Sequence, residues 1–364
     1  MIFTFLYLSF FLSFANMIEG VDSTYMRRAL QLAERGGGSV APNPMVGCVI
    51  VRGGEVIGEG YHMVYGGPHA EVNAINSVEN QGLLKEATLY VTLEPCAHFG
   101  KTPPCSNLII EKGIPRVVVG CRDPFKEVNG KGVELLRAAG VEVVTDVLFD
   151  ECREINKRFF TFHEKNRPYV MLKWAQSADG FMDIDRREGN RGSFMISHPD
   201  TQVLVHTWRA EEAAILIGKN TLLNDNPSLT VRRVDGKNPL RIVLTSQPID
   251  LQDFKLGSDE APTLVLTNET ESESKNWRFA ACTNVRDVAM VLSRLHQENV
   301  LSILVEGGAT VLKSFIDSGI WDEARVIISN RTLGSGLSAP AMECSLTKED
   351  RSTSDTIRLY YNKS

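Results

Sequence analysis

The chain has no stretch long and apolar enough for an ordinary membrane span, which needs about 20 residues. The apolar run from Ile2 to Ala15 is too short for that role. It also lacks the basic start of a secretory signal, because the first Lys or Arg is Arg27. Ser13 and Ala15 make only a weak cleavage pattern, and translation from Met17 is the alternative reading. Residues 1–21 are therefore set aside as an apolar extension, and a cytoplasmic protein is expected. Positive charge is in short supply: 39 Lys and Arg face 45 Asp and Glu, for a net charge of −6. A general nucleic-acid binder would carry a basic face, so nucleic acid and membrane are not expected partners. There is no internal repeat and no low-complexity tract. The seven cysteines are odd in number and scattered, unlike a secreted disulfide framework. Reduced thiols, some of them holding metal, are the better reading.

What is present is an alternation of strands and helices. A helix capped by Asp22 or Ser23 carries Met26, Ala29, Leu30 and Ala33 at helical spacing and ends at Gly36. Strands follow at Val46–Val51 and around Val56 and Ile57. The spacing then predicts a helix from His69, a strand at Thr88–Leu93, a helix at Ser106–Lys112, a strand at Arg116–Gly120, a helix at Val133–Ala139 and a strand at Val141–Val144. A second alternating series begins at Pro168, with strands at Ala213–Ile217, Arg241–Thr245, Thr263–Leu266, Ser302–Val305 and Arg325–Ile328. Both halves read as α/β layers. The expected domains are residues 22–147 and 168–364, with a polar linker at 148–167.

The strongest chemical signal is Pro68-His69-Ala70-Glu71, then Glu94-Pro95-Cys96, then Pro104-Cys105. One imidazole and two thiolates suit zinc with a fourth position left for water. Such a metal lowers the pKa of its water to about 7. Glu71 is two residues from His69, and such side chains diverge by about 200° on a regular helix, so Glu71 is placed as a proton carrier rather than a co-ligand. Zinc deaminases have this arrangement with two residues between the cysteines, whereas here Ala97–Pro104 intervene. Both cysteines are expected to precede helices, whose dipoles favour thiolate. A structural zinc site, with His62 or His98 as fourth ligand, is the bland alternative.

Several segments together resemble one family: Ala41-Pro-Asn-Pro-Met-Val-Gly, Pro68-His-Ala-Glu, Leu93-Glu-Pro-Cys-Ala-His-Phe-Gly-Lys-Thr-Pro-Pro-Cys, Asn224-Asp-Asn-Pro-Ser-Leu-Thr-Val-Arg and Val305-Glu-Gly-Gly-Ala-Thr. The family is the bifunctional deaminase/reductase of riboflavin biosynthesis. The resemblance runs from about Tyr25 to the end. It implies a cytidine-deaminase-like α/β/α domain followed by a dihydrofolate-reductase-like α/β domain. The first would deaminate 2,5-diamino-6-(5-phosphoribosylamino)pyrimidin-4(3H)-one, and the second would use NADPH to reduce the ribosyl group to ribityl. A homodimer or tetramer is also implied. Carried over by position, His69, Cys96 and Cys105 hold zinc and Glu71 moves the proton. Asn43, His62, His98, Lys101 and Thr102 line the deaminase pocket. Ala175, Met195, Thr221, Asp225, Ser246 and the segment from Gly308, Ala309 and Thr310 to Ser314 touch NADPH. Ser193, Arg209, Leu229, Arg232 and Glu306 touch the substrate.

The second half has no G-x-G-x-x-G, so an ordinary dinucleotide fingerprint is absent. Glu306-Gly307-Gly308 before a helix is the local substitute, with helix N–H groups for a phosphate. Arg209 and Arg232 are expected to clamp the ribose phosphate. Lys173 stands in an apolar strand and either snorkels or points into the cleft. Two departures from the family are visible. Met195 replaces the Trp of many members, and Asp183–Gly192 is longer and more charged. A deaminase of another base with a non-catalytic second domain, and a zinc-stabilised binding module, remain as rival readings.

Overall fold

The computed structural model describes residues 20–97, 103–125, 128–186, 191–247, 249–268, 272–274 and 276–362. The chain divides into two compact units, Met1–Glu164 and Lys165–Ser364. In the first, helix α1 (20–34) precedes β1 (Gly47–Arg52), β2 (Glu55–Tyr61), α2 (Ala70–Ser77), β3 (Thr88–Leu93), α3 (Cys105–Lys112), β4 (Arg116–Cys121), α4 (Lys131–Ala138), β5 (Glu142–Val144), α5 (Phe149–Ile155) and α6 (Lys157–Lys165). The sheet order is β2-β1-β3-β4-β5, with β3, β4 and β5 parallel.

Strand side chains alternate between two faces. Cys48, Ile50, Leu89, Val91, Val117 and Val119 point to one and pack on α2, α3 and α4 through Ala74, Ile75, Ile109 and Leu136. Val49, Val51, Tyr90 and Val118 point to the other and meet Met26, Ala29, Cys152 and Phe160 from α1, α5 and α6. The result is an α/β/α sandwich. Two expectations change here. Asp22 does not cap α1: it lies inside the helix, where its carboxylate accepts from Arg116 (2.8 and 3.0 Å) and from the Tyr90 hydroxyl (2.9 Å). Residues 148–167 carry helices α5 and α6, whose Cys152, Phe159 and Phe160 belong to this core. Their polar residues look like linker in the sequence because only one side of each helix is buried.

The second unit runs β6 (Tyr169–Gln176), β7 (Phe181–Asp183), α7 (Thr201–Glu211), β8 (Ala214–Gly218), α8 (Lys219–Asp225), β9 (Leu240–Thr245), β10 (Thr263–Thr267), β11 (Ser272–Glu273), β12 (Trp277–Ala281), α9 (Val288–Gln297), β13 (Ser302–Gly307), α10 (Ala309–Ser318), β14 (Glu323–Ile328), β15 (Leu337–Ser338), β16 (Leu346–Ser352) and β17 (Asp355–Tyr361). Its main sheet has the order β11-β12-β10-β9-β8-β13-β6-β14-β17-β16. Strands β12, β10, β9, β8, β13, β6 and β14 are parallel, while β11 and the β17–β16 pair are antiparallel edges. One face packs on α9 and α10, the other on α7 and α8. The edge strand β16 escapes sequence reading, since Leu346–Ser352 is almost wholly polar and exposed.

Candidate functional sites

His69 is the residue before the first turn of α2, with extended backbone (φ −70°, ψ 164°). Cys96 follows the carboxyl end of β3, and Cys105 opens α3. Only the second cysteine therefore starts a helix. The first meets the same helix end from outside: the Cys105 backbone N–H donates to Cys96 Sγ at 3.3 Å. Nδ1 of His69 lies 3.3 Å from Cys105 Sγ and 3.6 Å from Cys96 Sγ. Ligand atoms on a tetrahedral zinc with ordinary bond lengths stand about 3.6 Å apart, so the donor set fits the ion. Among the described residues this is the cluster of three that could hold a metal. The Cys96 thiol is held well below its ordinary value by the hydrogen bond from Cys105 and, against the opposing effect of burial, by His69.

Glu71 is 3% exposed in the first turn of α2. Burial, then the charge of Cys96, pushes its carboxyl up to about 7. That is the range in which a group both takes and gives a proton near neutrality. His62 packs edge-on to His69, with ring centroids 5.6 Å apart, and reaches Asn43 and the Pro68 carbonyl. It does not join the metal cluster. His98, Lys101 and Thr102 lie outside the described residues.

Sequence reasoning quoted Glu94 in the motif and gave it no task. The structure gives it one. Its buried carboxylate accepts from the backbone N–H of Gly130 (2.9 Å), Val133 (3.1 Å) and Asp123 (3.3 Å). It thereby caps α4 and ties the loop after β4 to the strand end that bears Cys96. Its partners lie 29, 36 and 39 residues further along the chain, so no local pattern could have signalled this task.

In the second unit the expected cofactor residues gather at the carboxyl ends of parallel strands. Ala175 is the penultimate residue of β6, Thr221 lies in the first turn of α8 after β8, Ser246 follows β9, and Gly308 follows β13 before Ala309 and Thr310 open α10. Open parallel sheets bind ligands at that edge. Gly308 has φ +73°, and a Cβ there would stand 3.1 Å from Thr221 Oγ1, so the two residues are neighbours. Asp225 ends α8 and is paired with Arg186 at 2.9 Å, which also holds Asp183 at 2.6 Å. Ser193 and Met195 are exposed. Residues 187–190 of the charged segment lie outside the described residues.

Three of the expected substrate residues, Lys173, Arg209 and Glu306, form a buried charge cluster. Arg209 donates through Nε and Nη2 to both oxygens of Glu306 (2.8 and 2.7 Å). Lys173 Nζ lies 3.9 Å from the same carboxylate with its side chain 12% exposed, so this lysine is buried beside Glu306 and does not snorkel. Burial pulls Lys173 below its ordinary value. Glu306 is held at about 2: burial raises it, but the charges of Arg209 and Lys173 outweigh that. Arg209 is thus not the free arm of a clamp, because half its fork is committed to Glu306. Arg232 is exposed; its Nη1 reaches Thr230 Oγ1 (2.7 Å), while Arg209 Nη1 reaches the Thr230 carbonyl (3.3 Å). Leu229 is buried beside them with φ +53°. His206, which sequence reading missed, accepts from the Arg232 N–H at 2.9 Å.

Comparison with known proteins bears on both units. Residues 20–121 match the cytidine and deoxycytidylate deaminase zinc-binding region, and residues 168–353 match the RibD C-terminal domain. The riboflavin biosynthesis protein RibD of Aquifex aeolicus is 41% identical over 88% of this chain and 90% of its own. The chain belongs to the RibD family. RibD of Escherichia coli K12 is 36% identical, over 86% of this chain and 89% of its own. A crystal structure of the Thermotoga maritima diaminohydroxyphosphoribosylaminopyrimidine deaminase/5-amino-6-(5-phosphoribosylamino)uracil reductase superposes with a TM-score of 0.85 at 37% identity, covering 94% of this chain and 99% of that one. The chain is accordingly a bifunctional enzyme of riboflavin biosynthesis, a zinc-dependent deaminase followed by a reductase domain that takes NADPH. No helix among the described residues is long and apolar enough to cross a membrane.

Proposed function

We propose that the first unit hydrolyses the amino group from 2,5-diamino-6-(5-phosphoribosylamino)pyrimidin-4(3H)-one and that the second reduces the ribosyl group of the product to ribityl. The convergence of His69 Nδ1 and the sulfurs of Cys96 and Cys105 beside the buried Glu71 carries the first half of this reading. Zinc held by those three atoms would supply Lewis-acid activation of a water. Glu71 takes a proton from that water and delivers one to the departing ammonia. Its burial keeps bulk water from supplying the proton instead. Asn43 and His62 contribute polar atoms to the pocket wall.

In the second unit Thr221, Ser246 and the Gly308–Thr310 turn border the cofactor, with α10 N–H groups available to a phosphate. Bound NADPH supplies the hydride. Lys173 and Glu306 face the reacting ribosyl group, and Lys173, with its lowered pKa, holds a proton at Nζ for the oxygen released when the ring opens. Arg209 orients Glu306, and Arg232 is the arm left for the phosphate. The enzyme is placed in the cytoplasm as a homo-oligomer acting on a small molecule, without nucleic acid. Purified protein given the diaminopyrimidine should release ammonia without NADPH and oxidise NADPH only once the deaminated product is present. Ammonia release that requires NADPH would refute this order.

A further inference from the structure

Helix α7 holds the chain that follows α8 at two points. His206 and Arg209 stand three residues apart on α7, so their side chains leave the same side of the helix. Arg209, besides its two bonds to Glu306, donates through Nη1 to the Thr230 carbonyl (3.3 Å). His206 Nδ1 accepts the backbone N–H of Arg232 at 2.9 Å, 26 residues further along the chain. A backbone N–H can only donate, so Nδ1 carries the lone pair and the ring hydrogen sits on Nε2. The ring is 2% exposed, and burial, then the charges of Arg209 and Arg232, pull its pKa down to about 4, so it stays neutral. The pinned segment needs holding: Leu229 has φ +53°, a region that a bulky side chain rarely adopts. The segment ends on the exposed Arg232, whose Nη1 reaches the Thr230 hydroxyl (2.7 Å). Arg209 and Lys173 are both turned to Glu306, whereas no carboxylate pairs with Arg232 among the described residues.

We propose that His206 is a positioning residue of the reductase: by holding the Arg232 backbone it sets where the Arg232 guanidinium meets the phosphate of the substrate. The inference rests on the reading of Arg232 as the phosphate arm. A guanidinium pairs with phosphate through two directed N–H bonds, so the pairing depends on where the arm is rooted. Rooting it before the ligand arrives lowers the ordering cost of binding. His206 itself need not touch the substrate. A neutral imidazole suits the task, because it offers an acceptor to the N–H without adding another positive charge beside Arg209 and Arg232.

The test follows NADPH oxidation by the full chain on two compounds, the deaminated product and its dephosphorylated counterpart. His206→Leu removes the acceptor and keeps an apolar side chain of similar bulk. It should raise KM for the phosphorylated compound about tenfold, the weight of one lost hydrogen bond, with a smaller change in kcat. On the dephosphorylated compound kcat/KM should move by less than about twofold, which also reports that the second unit is folded. In an Arg232→Ala background there is no guanidinium left to place, so adding His206→Leu should change KM by less than about twofold. Equal penalties on the two compounds, an undiminished penalty in the Arg232→Ala background, or no penalty on the phosphorylated compound would overturn the proposal. Nitrogen NMR of the histidine-labelled wild-type chain should show His206 bare at Nδ1 and protonated at Nε2. The opposite tautomer would overturn the proposal whether or not the variants fold. Arg232→Ala alone tests the phosphate reading: if it leaves the preference for the phosphorylated compound unchanged, that reading fails, while the His206 tautomer is judged separately.

Discussion

In the proposed deamination Glu71 changes protonation twice per turnover while surrounded by protein. Its neighbours make this feasible, since burial and the Cys96 charge bring its carboxyl up to about 7. Glu71→Gln keeps the shape and loses the proton. Deamination should fall by at least about 100-fold, with zinc still bound one to one by metal analysis. Retained turnover would remove Glu71 from the mechanism. Glu306 shows the opposite displacement, from an ordinary 4.5 to about 2, despite the burial that works against it. A carboxyl depressed in the folded state stabilises above its unfolded pKa, and that stabilisation is lost as pH falls through the folded one. The pairing with Arg209 should thus contribute fully above about pH 4.5 and fade towards pH 2. Melting temperatures of the chain and its Glu306→Gln variant should converge across that window. A gap independent of pH would show that the charge on Glu306 is not what stabilises the cluster. Glu71 was legible in the sequence because its spacing from His69 is local. The Arg209–Glu306 pair was not, because 97 residues separate its members.

At the scale of elements, the metal loop is held by helix ends rather than by its own conformation. The N-termini of α2 and α3 present His69 and Cys105, and Glu94 fastens the N-terminus of α4 against the end of β3. Glu94→Ala would leave three backbone N–H groups without their buried acceptor. The expected loss is about 2–4 kcal/mol, seen as a lower melting temperature of the metal-loaded chain, with weaker zinc retention against a chelator. Gly132→Ala tests the same junction sterically. A Cβ there would lie 2.0 Å from the Pro95 carbonyl oxygen, so α4 has to retreat. A loss of about 1–3 kcal/mol is expected. Near-wild-type stability in both variants would mean that α4 does not support the metal loop. In the second unit the corresponding support is the parallel sheet, whose carboxyl ends align Ala175, Thr221, Ser246 and Gly308 although more than 130 residues lie between the first and last of them.

For the whole molecule, two chemistries on separate compact units should be separable by treatment. Removing zinc with a chelator should stop ammonia release and leave NADPH oxidation on supplied deaminated product intact. Lys173→Met should do the reverse, and the deaminated, unreduced compound should then accumulate in a complete reaction. If chelation stopped both steps, or if Lys173→Met left reduction unchanged, the assignment of chemistry to units or of Lys173 to reduction would fall.

The sequence by itself determined the α/β class of both halves, the positions of most central strands, the zinc donor set and the place of Glu71. Those features depend on local periodicity and on short spacings within Pro68–Glu71 and Glu94–Cys105. Only the tertiary structure decided that Leu148, Cys152, Phe159 and Phe160 belong to the first core, that Asp22 pairs with Arg116, that Glu94 caps a distant helix and that Arg209 is bound to Glu306. Each of these is a contact between residues far apart along the chain. A polar side chain carries no mark of which distant donor or acceptor will satisfy it once water is excluded. Packing the sheets brings those partners together, and the hydrogen bonds are chosen there.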